Sequence, residues 1–440
     1  MSNDNNLRDE EPGNEVVAKD TATVVDIENT PSDALDPAKE FPCYTRYAVI
    51  AGCFIIQGLS CGTIHAWGVQ QEYLATNVYV DDENGIKTLG YIGTLMFFGI
   101  YIWGMLAGWV AEVWSYRKLC AIGVLLMSLG QILGSFCKQP WQLCLAEGIV
   151  YGLGGGLVYS PTSTAPARWF TTRRGLATGI TVAGVGVGGL VIAPLTEFLV
   201  SHVGVPWSMR ISGFYILILG LISCYFVRVP VQDKTRTLRN FDWGAFYDRR
   251  FAVQAVMVFF VTAAYIVPYM YLPQFWVSKE ISSQTASVII AVANVSSSVG
   301  RVATGFAADY IGVLNTLLLT LIVSSISCLV IWPLTASTGV AVVMGILYGF
   351  PSGGYWTLAP LAAGKLFGIS KLASTTGIFY TVSGIGAWLG NPVAGALLHG
   401  PGHDSNYLSM SLYIGALWAA AFFMALINRL SYSKALLKSV

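Results

Sequence analysis

A few ionisable side chains in this sequence fall inside apolar stretches, where a charge has a chemical purpose or a cost. Arg301 lies eight residues before Asp309, so roughly 12 Å from a polar helix end at about 1.5 Å per residue. Arginine stays charged in proteins, and its planar fork matches a carboxylate. It can hold the anionic group of a substrate, with Asn294 and Ser297 on the same helical face. The alternative is a structural partner for a carboxylate or carbonyl. His65 lies mid-run, and the intrinsic range of a histidine overlaps physiological pH, which suits a proton acceptor or a substrate donor as well as a core histidine bonded to serine or backbone. Glu147, six residues after Trp141, is either a proton carrier or one end of an interhelical hydrogen bond. In Tyr348-Gly-Phe-Pro-Ser-Gly-Gly-Tyr355-Trp356, proline and glycine loosen a helix, and Tyr355 and Trp356 could line a cavity or simply pack.

Other chemistries lack their residues. No nucleophile–base pair, phosphate loop or metal cluster occurs, and the eight cysteines form no CxxC. Neither an enzyme nor a bound cofactor or metal is expected. Asn294-Val-Ser296 matches a glycosylation sequon but falls within an apolar run.

The elements that must position these groups follow from composition. Only 11% of the 440 residues are charged and 54% are hydrophobic, whereas soluble domains have about 25% charged residues. Apolar runs of bilayer-spanning length recur at about 46–71, 88–110, 117–137, 141–165, 175–200, 210–229, 250–275, 284–308, 313–335, 339–362, 372–398 and 407–429. In hydrocarbon these must be helices, because backbone groups find no partner outside their own segment. The class is an all-α membrane protein with twelve spans, partnered by the lipid bilayer. The net charge of +1 excludes a basic nucleic-acid binder.

Residues 1–44 hold eleven acids and three bases and read as a disordered acidic tail. Alternate loops carry sixteen lysines and arginines against four in the opposite set, which puts the first set and both termini in the cytoplasm. Shifting the chain by 197 positions lays Tyr151–Gly152 on Tyr348–Gly349, Arg168-Trp-Phe170 on Lys365-Leu-Phe367 and Gly108 on Gly305. The chain therefore reads as two six-helix repeats, 45–230 and 250–430, with a linker at 231–249 and a tail at 431–440. A substrate site between such halves near the midplane, with rocking of one against the other, is alternating access.

Gly108-Trp-Val-Ala-Glu112-Val-Trp-Ser-Tyr-Arg117-Lys118 resembles the G-x-x-A-D-x-x-G-x-R-K/R signature of the major facilitator superfamily. Glu112 and Ser115 replace its usual Asp and Gly. The counterpart Gly305-Phe-Ala-Ala-Asp309-Tyr-Ile-Gly312 lacks the trailing basic pair. The resemblance implies a cytoplasmic gate formed by Gly108, Glu112, Arg117, Lys118, Gly305 and Asp309, its carboxylates pairing with arginine or meeting helix N-termini. Three stretches are similar to the monocarboxylate transporter family, fungal branch: Arg168–Gly179, Gly300-Arg301-Val-Ala-Thr-Gly305, and Gly58–Tyr73 around His65. The Asp that family carries one turn before its arginine is Ser297 here, and its helix-one lysine aligns with His65.

The function this implies is secondary transport of a small, monocarboxylate-like organic anion across the plasma membrane, with protons. His65 and Glu147 are the coupling candidates, and Arg301, His65, Asn294, Ser297, Tyr355 and Trp356 the substrate-binding ones. Efflux of a fungal secondary metabolite or drug is the alternative, to which Gly184-Val-Gly186-Val-Gly188-Gly189 speaks by its partial likeness to an antiporter motif. A non-transporting nutrient sensor on the same fold is a lesser one.

Overall fold

The computed structural model describes residues 41–79, 83–230, 248–398 and 407–432. Nearly all of the acidic tail, most of the 231–249 linker and most of the C-terminal tail lie outside the described residues. Twelve helical passes run through the rest. α1 is Cys43–Asn77, and α2 is Glu83–Ile102 followed by Gly104–Val113. α3 is Tyr116–Gly134 and α4 is Pro140–Trp169. Arg174–Phe226 is one 53-residue stretch interrupted at Gly204, whose φ of 76° breaks the helix and only glycine adopts readily. We call its two parts α5 (174–203) and α6 (205–226). Then come α7 (Arg249–Ser278), α8 (Ser283–Ile311), α9 (Val313–Ile331), α10 (Thr338–Phe367), α11 (Leu372–Leu398) and α12 (Tyr407–Tyr432).

Among the described residues, nine helices are long and apolar enough to cross a membrane. The count reaches twelve because one of the nine is the α5–α6 pair, and because α10 and α11 are diluted by Gly, Ser and Thr. The outer faces are apolar: Leu125, Leu129 and Leu133 on α3 and Phe214, Ile218 and Ile222 on α6 are all more than 40% exposed. This inversion of the soluble pattern is the surface a hydrocarbon solvent selects.

Glycines set how the helices meet. Gly58 and Gly62 of α1 lie against Gly184, Gly188 and Ile192 of α5, two small-xxx-small stripes that bring the backbones together as van der Waals packing in lipid requires. A Cβ at Gly188 would collide with the Gly58 backbone. The partly antiporter-like glycine run of α5 thus has a packing role. Gly188→Val is expected to cost several-fold in the yield of monodisperse protein on size exclusion, because overpacking against backbone cannot relax by side-chain rotation.

Contacts between the two sets of six helices repeat with the sequence. Gly305 of α8 meets the Gly175 backbone of α5, and Gly108 of α2 meets the Ala373 backbone of α11. Asp309 Oδ1 and Oδ2 accept from the Gly175 and Leu176 amides at 2.7 and 2.9 Å. Glu112 Oε1 accepts from the Ser374 amide and hydroxyl at 3.0 and 2.7 Å. Each carboxylate therefore caps the N-terminus of a helix in the opposite half, satisfying orphan amides and meeting the positive end of the helix dipole. Both caps lie at the end of the bundle that carries Arg117, Arg168, Arg174 and Lys371, hereafter the basic end.

Candidate functional site

Above that closure the halves part around a central chamber of about 210 Å³. Its wall comes from α1 (Cys61, Ile64, His65), α2 (Phe97, Tyr101), α4 (Tyr159), α5 (Val185), α7 (Tyr265, Ile266, Tyr269), α8 (Ile290, Asn294, Arg301) and α10 (Trp356). Ile64, His65, Phe97 and Ile266 also border an outer vestibule of about 400 Å³, which continues past Gln71, Thr94, Trp388 and Asn391. These residues lie toward the ends of α1, α2 and α11 remote from the basic loops, so the path opens away from the basic end.

The floor is aromatic. Tyr101 stacks on Trp356 with centroids 5.2 Å apart and planes 21° from parallel. Tyr159 and Tyr380 close beneath them at 5.0 Å, and Tyr265 stands edge-on to Trp356 at 5.3 Å. The Tyr380 hydroxyl donates to Ser163 Oγ across the halves at 3.0 Å, and Thr381 Oγ1 donates to the Tyr101 and Ile102 carbonyls. Rings that stack on one another and, through Tyr380, hydrogen-bond across the halves tie the floor to both halves.

Among the described residues, Arg301 is the one cation on this wall, and it is 5% exposed. Among the same residues no carboxylate lines either the chamber or the vestibule. Among the described residues no hydrogen-bond acceptor meets its guanidinium, and Nε is buried without a partner. A cation buried without a counter-ion is costly. The arginine is also given room: a Cβ at Gly186 would sit 3.3 Å from Arg301 Nη1, and one at Gly189 3.3 Å from His65 Nδ1. Glycines of α5 thus let both polar groups stand in the chamber beside each other.

The structure gathers Arg301, His65, Asn294 and Trp356 at one cavity and places the other candidates elsewhere. Ser297 is 3% exposed and packs against Gly353 of α10. Tyr355 is 1% exposed, its ring edge-on to Trp356 at 5.5 Å and turned out of the chamber wall. Glu147 is wholly buried between α3, α4 and α6, away from the cavity. At the basic end Glu112 and Asp309 meet helix N-termini, whereas the Arg117 guanidinium lies 4.9 Å over the Tyr225 ring of α6 and Lys118 is exposed. Tyr101, Tyr159, Tyr265 and Tyr269 were not anticipated. Their only trace in the sequence is tyrosine placed mid-span, where a hydroxyl needs either a partner or a cavity.

The sequence profile of the Major Facilitator Superfamily matches residues 54–280 and 255–435. The Aspyridones efflux protein apdF of Emericella nidulans is 29% identical over 357 residues, covering 81% of this chain and 72% of that one. The Fujikurins efflux protein of Gibberella fujikuroi is 27% identical over 391 residues, covering 88% and 83%. Among solved structures, FucP in its outward conformation superposes with a TM-score of 0.64 at 16% identity, over 86% of this chain and 99% of that one, a likeness of fold alone. Helix count, repeated inter-half contacts, a cavity between the halves and a profile match over most of the length all agree: this chain belongs to the Major Facilitator Superfamily.

Proposed function

We propose that the protein exports an organic acid with a flat, largely apolar body, by alternating access across the plasma membrane, the basic end facing the cytoplasm. The observation that carries this reading is Arg301: a buried guanidinium with no carboxylate from the described residues on its cavity wall. The missing counter-ion is then the cargo's acid group, and the stacked Tyr101–Trp356 floor accepts its planar part. Chamber and vestibule together suit a ligand of drug-like size, larger than a lactate-like acid. That size, and the efflux names of the two fungal relatives, favour export over the monocarboxylate uptake that the loop and helix motifs imply.

Direction follows from physics. An inside-negative potential moves a monoanion outward with about 2.3 kcal/mol per 100 mV, a gradient of roughly 50-fold. An anion carrier with a cationic cavity therefore exports without a further energy source. The test uses proteoliposomes with an imposed potassium potential, and 2-naphthoate and lactate as probes. Naphthoate is expected to leave inside-negative vesicles faster than from protein-free ones, with lactate moving little. Lactate accumulation driven by an inward proton gradient, with no naphthoate flux, would restore the uptake reading.

His65 borders both chamber and vestibule and serves as a polar contact on the route. Replacing it with asparagine is expected to raise the apparent KM for naphthoate about fivefold, one hydrogen bond's worth, and to leave the shape of the pH–rate profile unchanged. A flattened profile would make His65 the titrating group.

A further inference from the structure

Glu147 is 0% exposed and lies in a π-helical turn of α4, Cys144–Tyr151. It is seven residues in from the start of the helix at Pro140, roughly 10 Å at about 1.5 Å per residue. Its Oε2 receives the Gln131 amide of α3 at 2.6 Å. Its Oε1 has no partner, and neither has Gln131 Oε1. A buried carboxylate held by one neutral donor is a costly arrangement. Two orphaned oxygens on side chains already joined by one bond are a second anomaly. A single proton resolves both: on Glu147 Oε1 it neutralises the charge and supplies the donor that Gln131 Oε1 lacks, closing an acid–amide ring. Gly134 leaves the space, since a Cβ there would sit 2.7 Å from Glu147 Oε1.

Met209 of α6 approaches the same spot beside Gly134. The titratable groups near enough to sense Glu147 are Tyr151 on α4, Tyr215 on α6 and Cys137 after α3. Arg210, beside Met209 on α6, donates to Ser135 Oγ at 3.1 Å and lies over Phe136 and Trp207. On α1 the Tyr151 hydroxyl donates to the Ser60 carbonyl at 2.8 Å and to that of Leu59 at 3.3 Å, and the Thr63 hydroxyl faces Tyr151 and Tyr215. The π turn thus ends on a side chain that grips α1 five residues before His65.

We propose that Glu147 and Gln131 form a proton-binding site outside the substrate cavity, and that its loaded state favours the arrangement described here, open at the end opposite the basic loops. Losing the proton to solvent leaves a carboxylate that needs water or a cation. The α3–α4–α6 contact must then open, and the Tyr151 grip on α1 shifts with it. Binding the proton and opening the vestibule are linked, so each promotes the other. The inference rests on alternating access but on no particular cargo.

The test therefore needs none. Asn391→Cys places a thiol in the vestibule, and its labelling by a membrane-impermeant maleimide is followed against pH, after subtracting the labelling of the chain without that cysteine. Glu147→Gln, a mimic of the protonated acid, is compared throughout, so the thiol's own pH dependence cancels. The expected ratio of wild-type to Glu147→Gln rates falls at least fivefold from low to high pH. A ratio that stays flat overturns the proposal. Infrared difference spectra of the purified protein should show a protonated-carboxyl band at neutral pH that Glu147→Gln removes; its absence in wild type also overturns it. Gln131→Met gives a reading that does not depend on altering the acid: the labelling midpoint should move by about one pH unit, and an unmoved midpoint counts against the pair. If labelling behaves as expected while naphthoate is not transported, the cargo assignment fails and the proton site stands.

Discussion

Arg301→Met is expected to abolish transport while leaving the protein at least as heat-stable as wild type. The two halves of this outcome have one cause. In the cargo-free protein Arg301 is buried without an acceptor from the described residues, so an apolar side chain of similar length removes an uncompensated charge. With cargo bound, the same change leaves the anion in an aromatic-walled chamber without its cationic partner, at a cost of about 3 kcal/mol or more. That is a fall of roughly 100-fold or more in transport efficiency. Arg301→Lys should lie between, because it keeps the charge and loses the bidentate fork. Thermal unfolding and naphthoate flux on the same preparations check the result. Flux and apparent affinity at wild-type levels in Arg301→Met would sink the assignment of this residue to the cargo, and a large drop in melting temperature would show that its role is structural.

Gly305→Val is expected to be nearly as damaging by a different route. The added Cβ would land on the Gly175 carbonyl across the halves, and backbone cannot step aside as a side chain can. Thr357, the nearest neighbour within the same half at 3.2 Å, can. The variant should therefore fold, with each half intact, and fail to close at the basic end. Pushing α8 from α5 also lifts Asp309 from the Gly175 and Leu176 amides, a charged cap contributing about 1 kcal/mol. With the overpacking of about 1–3 kcal/mol, the closed arrangement loses roughly 30- to 1,000-fold in population. Vestibule labelling through Asn391→Cys should fall at least tenfold, and naphthoate flux with it. Unchanged labelling together with normal flux would mean that the Gly175–Gly305 contact is not part of the cycle.

The two variants probe features of different legibility. Gly305 and Asp309 stand out in the sequence because their spacing repeats that of Gly108 and Glu112, and the structure gives both pairs equivalent work. The sequence leaves the carboxylates' partners open between arginine and a helix N-terminus. Packing decides for the N-termini, because the inter-half glycines bring those helix starts within hydrogen-bond reach. Arg301 is conspicuous as a charge in an apolar run, but nothing in the sequence says whether a carboxylate from another helix faces it.

The class and its logic are legible in the chain alone. Apolar runs of bilayer length must be helices, the bases sort to one end, and a repeated motif makes two halves; each of these is a local or periodic property of the chain. The tertiary structure alone decided which polar groups share the cavity. Successive residues of a helix point about 100° apart, so Tyr355 turns away where Trp356 lines the wall, and Asn294 lines it where Ser297 packs on Gly353. Which face looks inward depends on how each helix is rotated against its neighbours. That rotation is set by glycine contacts between segments far apart in the chain, such as Gly58 with Gly188 and Gly186 with Arg301. The same long-range packing drew Glu147 away from the cavity and gave it Gln131.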